Sequence, residues 1–141
     1  MSQPGRKVES FKVSGGADGS HWKVFLWPDR ASFHSKIKDA SGADGMHHPH
    51  PIIINRLTRK RRPTRIIASI HFVRDKWDME VVAHECMHAV AHYIRATGAK
   101  PLGHKSDDMG QEEKCCYLFG KMVDSIYRQL WEMNPYRTTE Q

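Results

Sequence analysis

The sequence lacks several features that would place the protein in a specialised class. No apolar run approaches about 18 residues, so we expect no membrane-spanning helix. Residues 1–7 have no apolar stretch after their charges, so we expect no secretory signal. Only three cysteines occur and two of them are adjacent, which argues against a disulfide framework and favours a cytoplasmic location.

The overall composition is that of an ordinary globular protein. Of 141 residues, 39% are hydrophobic and 27% are charged, which is too apolar for a wholly disordered chain. This length favours a single domain over residues 1–141. The formal net charge of +6 weakly favours nucleic acid or an acidic protein as a partner. Ten histidines are the unusual feature, and their positions carry most of the functional information.

The first half of the chain has strand patterns. Residues 8–13 alternate weakly, and residues 21–27 are rich in β-branched and aromatic side chains. A short helix over residues 29–38 and a loop over residues 39–51 are expected next. Two further apolar runs, at residues 52–54 and 66–73, then predict either a hairpin or two strands joined by a basic loop.

The second half of the chain has helix patterns. Apolar residues recur at helical spacing over residues 78–96, with Asp78 as a candidate N-cap and Gly98 at the favoured C-terminal position. A polar loop over residues 99–110 precedes a second helix over residues 111–133. The sequence therefore predicts an α+β domain, with an N-terminal antiparallel or mixed sheet followed by two long helices.

The first long helix contains an HExxH motif, His84-Glu85-Cys86-Met87-His88. Residues four apart lie on one face of a helix, so His84 and His88 can bind one Zn²⁺ ion. Glu85, next to the first ligand, is in the position of a general base that accepts a proton from a zinc-activated water. A histidine-rich chain can also match this pattern by chance.

A catalytic zinc needs a third protein ligand. His92 lies about 12 Å along the helix from His84, so we expect it at the surface or behind the ligands. His104 lies in the polar loop, where a substrate contact or simple solvation is expected. Glu112 and Glu113 are better candidates because they open the last helix. The alternative role of a helix cap would account for one of the two.

Other metal-binding residue types need a role as well. Cys115 and Cys116 point about 100° apart on a helix, so both cannot easily bind one metal ion. We expect them to be small thiols at a contact between helices, with a His₂Cys metal site as the lesser option. His47, His48 and His50 surround a proline, where solvated histidines are more common than a second metal site.

The last helix resembles a known family. Its segment Glu112-Glu113-Lys114-Cys115-Cys116-Tyr117-Leu118-Phe119-Gly120 resembles the EExxAYLxG segment of small metallopeptidases encoded by phages and prophages. HExxH followed by a glutamate on a second helix is the gluzincin pattern of zincin-like peptidases, and the ImmA/IrrE-type peptidases are more distantly similar. The resemblance covers residues 66–126, and Cys116 stands where the family usually has alanine.

The resemblance implies a site. The family's ligand glutamate precedes a small residue by three positions, which selects Glu113, with Cys116 packed close to the first helix. Counted from Glu112, the residue three positions on is Cys115, so Glu112 is the alternative. We expect Glu113. Tyr117 then follows one turn later, either beside a ligand histidine or as a half-buried core residue. Residues 66–73 resemble the strand along the cleft of such enzymes, and we expect them to form an edge that holds extended substrate.

A cluster of cations is the other signal in the sequence. Such a cluster can contact phosphates or an acidic protein, and it can also simply keep a hairpin from aggregating. Its members are Arg56, Arg59, Lys60, Arg61, Arg62 and Arg65.

Three functions follow from these motifs. The preferred one is a zinc-dependent metallopeptidase with His84, His88 and Glu113 as ligands, cleaving a host or phage protein in the host cytoplasm. The second is a zinc-containing binding or inhibitor protein that contacts nucleic acid or an acidic protein through the basic hairpin. The third is a zinc hydrolase acting on a non-peptide bond.

Overall fold

The computed structural model describes residues 7–15, 19–37, 43–98 and 109–135. In these ranges the chain forms six strands and three helices. They are β1 (Glu9–Ser14), β2 (His21–Trp27), α1 (Arg30–Lys36), β3 (Gly45–Pro49), β4 (Ile52–Ile54), β5 (Arg61–Pro63), β6 (Ile66–Val73), α2 (Met79–Thr97) and α3 (Met109–Met133).

Four of the strands form a mixed sheet in the order β1-β2-β6-β3. β1 is antiparallel to β2, β2 is parallel to β6, and β3 is antiparallel to β6. β4 and β5 form a separate antiparallel ribbon. The fold is therefore α+β, with a mixed sheet and two long C-terminal helices, as the sequence predicts.

The helix boundaries follow from local chemistry. Asp29 caps α1 and Asp78 caps α2, each carboxylate accepting a hydrogen bond from the backbone N–H three residues later. α2 ends at Gly98, whose φ of 78° is in the left-handed region that glycine adopts without strain. The bounds of α1, α2 and α3 all lie within two residues of the predicted bounds.

The main core lies between one face of the sheet and the two long helices. Trp22, Val24 and Leu26 alternate along β2 and are almost fully buried, as are Cys86 and Ala89 on α2. A second, smaller cluster on the other face of the sheet joins Trp27 and Val73 to Phe33 of α1. The sheet is therefore covered on both sides along part of its length.

Three predictions about the middle of the chain are wrong in detail. Residues 39–51 were expected to be a loop, but Gly45–Pro49 form β3, because β6 supplies backbone pairing that the local sequence does not signal. Of the two alternatives for residues 52–54 and 66–73, the hairpin is wrong, because Ile52–Ile54 pair with Arg61–Pro63. Two strands joined by the basic stretch do form, with β5 inside that stretch. Residues 66–73 were expected at an edge of the sheet, but β6 pairs with a strand on each side. β3 lies at that edge instead.

None of the helices in the described parts of the chain is both long and apolar enough to cross a membrane.

Candidate metal centre

The two histidines of the HExxH motif converge on the exposed side of α2. The Nε2 atoms of His84 and His88 are 3.3 Å apart, with ring centroids separated by 4.9 Å. Two imidazole nitrogens bound tetrahedrally to one zinc, each at about 2.05 Å, are separated by about 3.3 Å. The pair therefore has the nitrogen spacing that a shared metal ion needs.

Glu85, between these histidines in sequence, is only 6% exposed. Burial raises the pKa of its carboxyl group, while the charge of His84 and a hydrogen bond from the His47 backbone N–H act in the opposite direction. A carboxylate with a raised pKa accepts a proton more readily near neutral pH. This is the electrostatic environment that a general base requires.

The edge strand β3 packs closely over Glu85. A Cβ atom added to Gly45 would lie 2.8 Å from Val81 Cγ1 and 3.2 Å from Glu85 Cγ. Glycine at position 45 is thus needed for the backbone of β3 to approach α2. The close approach also brings His47, two residues further along β3, beside His88 and His92.

Two buried imidazole nitrogens near the His84–His88 pair have no hydrogen-bond partner among the described residues. The ring of His47 is 6.3 Å from that of His88 and 5.6 Å from that of His92. Nε2 of His47 and Nε2 of His92 are both buried and accept or donate no hydrogen bond within the described residues. Buried polar atoms of this kind usually have a water or an ion as partner.

The structure contradicts the expectation for His47 and excludes one of the two expectations for His92. His92 was expected at the surface or behind the ligands; it is only 4% exposed, so the surface alternative is wrong. His47 was expected to be solvated, but burial and the neighbouring His92 and His88 lower its pKa to about 4. His48 is exposed as expected, and His50 bonds Ser69 Oγ at 2.9 Å.

The structure does not bring the predicted third ligand to the histidine pair. Among the described residues, no group of three His, Cys, Asp or Glu side chains is arranged to hold a metal ion. Glu112 and Glu113 are both exposed at the start of α3. Neighbouring residues of α3 line a pocket with Tyr93 and Thr97, beyond His88 toward the C-terminal end of α2. Glu113 therefore stays a prediction.

The orientation of α3 corrects the reasoning that selected Glu113. Of the two adjacent cysteines, Cys115 is buried and Cys116 is exposed, so the small residue of α3 that packs in the core is Cys115. At about 100° per residue, Glu112 lies about 60° from Cys115 around the helix and Glu113 about 160°. The rule of a small residue three positions on thus selects Glu112. Tyr117 is 68% exposed, so it is not a half-buried core residue.

The remaining predicted residues are not part of this centre. His104 lies outside the described residues. Cys86 faces the core, where burial and the charge of Glu85 raise the pKa of its thiol to about 12, so it stays protonated. The six cations of the predicted basic cluster are all exposed, on or beside the β4–β5 ribbon.

Comparisons with known proteins found no matching protein-family model, no matching curated protein and no matching solved structure. These comparisons therefore assign the chain to no family, and the zincin-like resemblance stays a prediction from the sequence motif.

The sequence signalled some of these features and not others. The spacing of His84 and His88 predicts their convergence directly. The phase of the apolar residues along α3, at Cys115, Met122 and Ile126, was a readable signal that Cys115 is the buried cysteine. No comparable signal placed His47 next to the motif, because that contact depends on how β3 pairs with β6.

Proposed function

We propose that this protein is a zinc-dependent metallopeptidase, with His84 and His88 as zinc ligands and Glu85 as the general base. The observation that carries the proposal is the 3.3 Å separation of the two Nε2 atoms beside a buried carboxylate. Helical spacing alone brings the two histidines together, so the buried carboxylate beside them is the feature that a chance HExxH match would not supply.

The donor set fits zinc. Neutral imidazole nitrogen is a preferred zinc ligand, and a carboxylate oxygen completes the three-ligand sets typical of catalytic sites. A zinc ion bound here would supply Lewis-acid polarisation of the substrate carbonyl and of a water molecule.

Glu85 performs the proton transfers in this proposal. Its carboxylate accepts a proton from the attacking water, the C–N bond of the peptide breaks, and Glu85 then donates that proton to the leaving amine nitrogen. Burial favours this cycle because it brings the pKa of the carboxyl group closer to neutrality. The close packing of β3 at Gly45 restricts the Glu85 side chain to this place.

The edge strand β3 is the element best placed to hold an extended substrate. One of its sides pairs with β6, and no described strand pairs with the other. Its residues Gly45 and His47 lie directly against the HExxH segment of α2. An extended peptide that adds to this edge by backbone hydrogen bonds would lie next to the histidine pair.

The third ligand in the proposal is a carboxylate from the first turns of α3. The sequence pattern names Glu113, and the burial of Cys115 favours Glu112. Residues at the start of α3 lie beside Tyr93, which is about 7.5 Å along the axis of α2 from His88. In this proposal Glu112 or Glu113 would hold the zinc together with His84 and His88.

The decisive variant is Glu85→Gln, which keeps the size of the side chain and a carbonyl oxygen for the His47 N–H. We expect it to fold and to bind zinc like the wild type, while turnover falls by about two to four orders of magnitude, the scale of losing a general base. Both zinc-loaded proteins would be incubated with a cell lysate, and newly generated protein termini compared by mass spectrometry.

Identical terminus profiles, with zinc in both proteins, would contradict peptidase activity. That result would leave the alternative of a zinc-containing binding protein, in which a base at position 85 has no chemical task. A zinc hydrolase acting on another bond would instead retain a Glu85-dependent activity on non-peptide substrates.

A further inference from the structure

The β4–β5 ribbon is the most strongly cationic element of the described chain. No Asp or Glu occurs between Asp44 and Asp75, whereas six Lys or Arg residues lie in and beside the ribbon. All six side chains are exposed, and no ion pair joins any of them within the described residues. They are Arg56, Arg59, Lys60, Arg61, Arg62 and Arg65. Their charge is therefore uncompensated by the rest of the described structure.

The tip of the ribbon is held in one conformation by its own hydrogen bonds. Oδ1 of Asn55 accepts from the backbone N–H groups of Leu57 and Thr58, at 2.9 and 3.0 Å. The Asn55 N–H in turn donates to the Lys60 carbonyl oxygen at 2.9 Å, closing the turn. Arg59 adopts a left-handed φ of 62°. A tip ordered in this way loses little conformational entropy when it binds.

An apolar side chain stands at the apex of this cationic tip. Leu57 is 94% exposed, and Ile54 on the adjoining strand is 49% exposed. A hairpin tip that only prevents aggregation needs charge and gains nothing from an exposed leucine. Cations that flank an apolar apex are instead suited to a partner that combines a negatively charged surface with an apolar interior.

The ribbon lies beside the C-terminal end of α2. Arg59, Lys60 and Arg61 line a groove of about 570 Å³ together with Thr97 and Gly98, at the C-terminal end of α2. The partial negative charge of a helix C-terminus favours cations in this place. The ribbon therefore projects from the end of α2 as a supported arm.

We propose that the β4–β5 ribbon binds duplex DNA, with its cations on the phosphates and Leu57 in contact with the bases. The major groove of B-DNA is wide enough for a two-stranded ribbon, and an apolar side chain there can contact the methyl group of thymine. Five of the six cations are arginines, whose planar guanidinium groups bind phosphate in a bidentate manner. This inference does not depend on the metallopeptidase proposal.

The test uses fluorescence anisotropy with a labelled 25-base-pair DNA duplex over a range of salt concentrations. The triple variant Arg59→Gln, Lys60→Gln, Arg62→Gln should reduce the slope of log affinity against log salt by about 2.7, at about 0.9 per phosphate contact. Leu57→Ala should weaken binding about tenfold through lost apolar contact and leave the salt slope unchanged.

A matched control removes the same charge elsewhere. Lys36→Gln, Lys121→Gln, Arg128→Gln changes the net charge equally on exposed helix positions, and it should leave the salt slope near that of the wild type. Four results would overturn the proposal: no binding at low salt, equal losses in both triple variants, a Leu57→Ala variant that binds like the wild type, or equal affinity for duplex RNA. The last matters because the A-form major groove is too narrow for the ribbon.

Discussion

Gly45 of the edge strand packs directly on Glu85 of the HExxH helix, where a Cβ atom added to the glycine would lie 3.2 Å from Glu85 Cγ. The two residues are far apart in sequence, and no local pattern predicts that they meet. The contact requires β3 to lie against α2, which Gly45 permits by having no side chain. The position of the proposed general base thus depends on the docking of one short strand.

Replacing Gly45 should disturb that docking. In Gly45→Val the new Cβ would lie 2.8 Å from Val81 Cγ1, so either β3 or α2 has to move. We expect the free energy of unfolding to fall by about 1–3 kcal/mol, the usual range for overpacking. Urea denaturation followed by circular dichroism measures the change.

Gly120 provides the control for this substitution. It lies in the exposed interior of α3, where an added Cβ would meet nothing within 4 Å. Gly120→Ala should therefore stabilise the protein by up to about 1 kcal/mol through helix propensity. A Gly45→Val variant as stable as the wild type would contradict the close packing of β3 on α2.

Zinc should stabilise the folded protein through the histidine pair. A metal that binds only the folded state adds about 2.7 kcal/mol at a concentration 100 times its dissociation constant. We expect a chelator to lower the melting temperature, and His84→Ala or His88→Ala to abolish this effect. Differential scanning fluorimetry with and without zinc measures it.

The control for the histidine variants is His48→Ala, which removes an exposed histidine of β3. This variant should keep the full zinc-dependent shift in melting temperature. If His84→Ala kept the shift as well, the HExxH pair would not be the zinc site.

The two glutamates at the start of α3 can be distinguished by zinc affinity. Because Cys115 is the buried residue, Glu112 lies nearer the packed face of the helix than Glu113. We expect Glu112→Gln to weaken zinc binding at least about tenfold, and Glu113→Gln to have a smaller effect. Competition with a fluorescent zinc chelator gives both values. The reverse order would restore Glu113, the choice made from the sequence pattern.

The parts of the fold with strong local signals were predictable. α2 has an N-cap aspartate, a continuous apolar face and a terminal glycine, and these fixed its bounds to within about one residue. The convergence of His84 and His88 follows from helical spacing alone. These features depend on residues close together in sequence, so no tertiary information is needed.

The parts that depend on distant contacts were not predictable. β3 has the sequence Gly-Met-His-His-Pro, which has low strand propensity, and it becomes a strand only because β6 is available for pairing. The burial of His92 depends in turn on β3 and β6 covering that side of α2. The third ligand of the proposed zinc site comes from a separate helix, so residue spacing within α2 does not identify it.

Another buried histidine, His71, lies on β6 and packs against Phe25 and Trp27. Its Nδ1 accepts a hydrogen bond of 3.0 Å from Nε1 of Trp27, and its ring stacks on Phe25 with centroids 5.0 Å apart. It is only 5% exposed, and burial lowers its pKa to about 4. The folded protein therefore strongly favours the neutral ring.

This histidine should make stability depend on pH. In the unfolded chain the pKa of His71 is about 6.5. The contribution of its neutral ring to the free energy of unfolding is therefore complete above that pH. This contribution falls by up to about 3 kcal/mol as the pH drops toward about 4. His71→Gln keeps an acceptor for Trp27 but does not titrate. We expect it to be less stable than the wild type at pH 8 and to close most of that gap by pH 4.5, measured by urea denaturation across this range. Other histidines titrate in both proteins, so the difference isolates His71. Parallel stability curves for the two proteins would show that His71 is not the residue responsible.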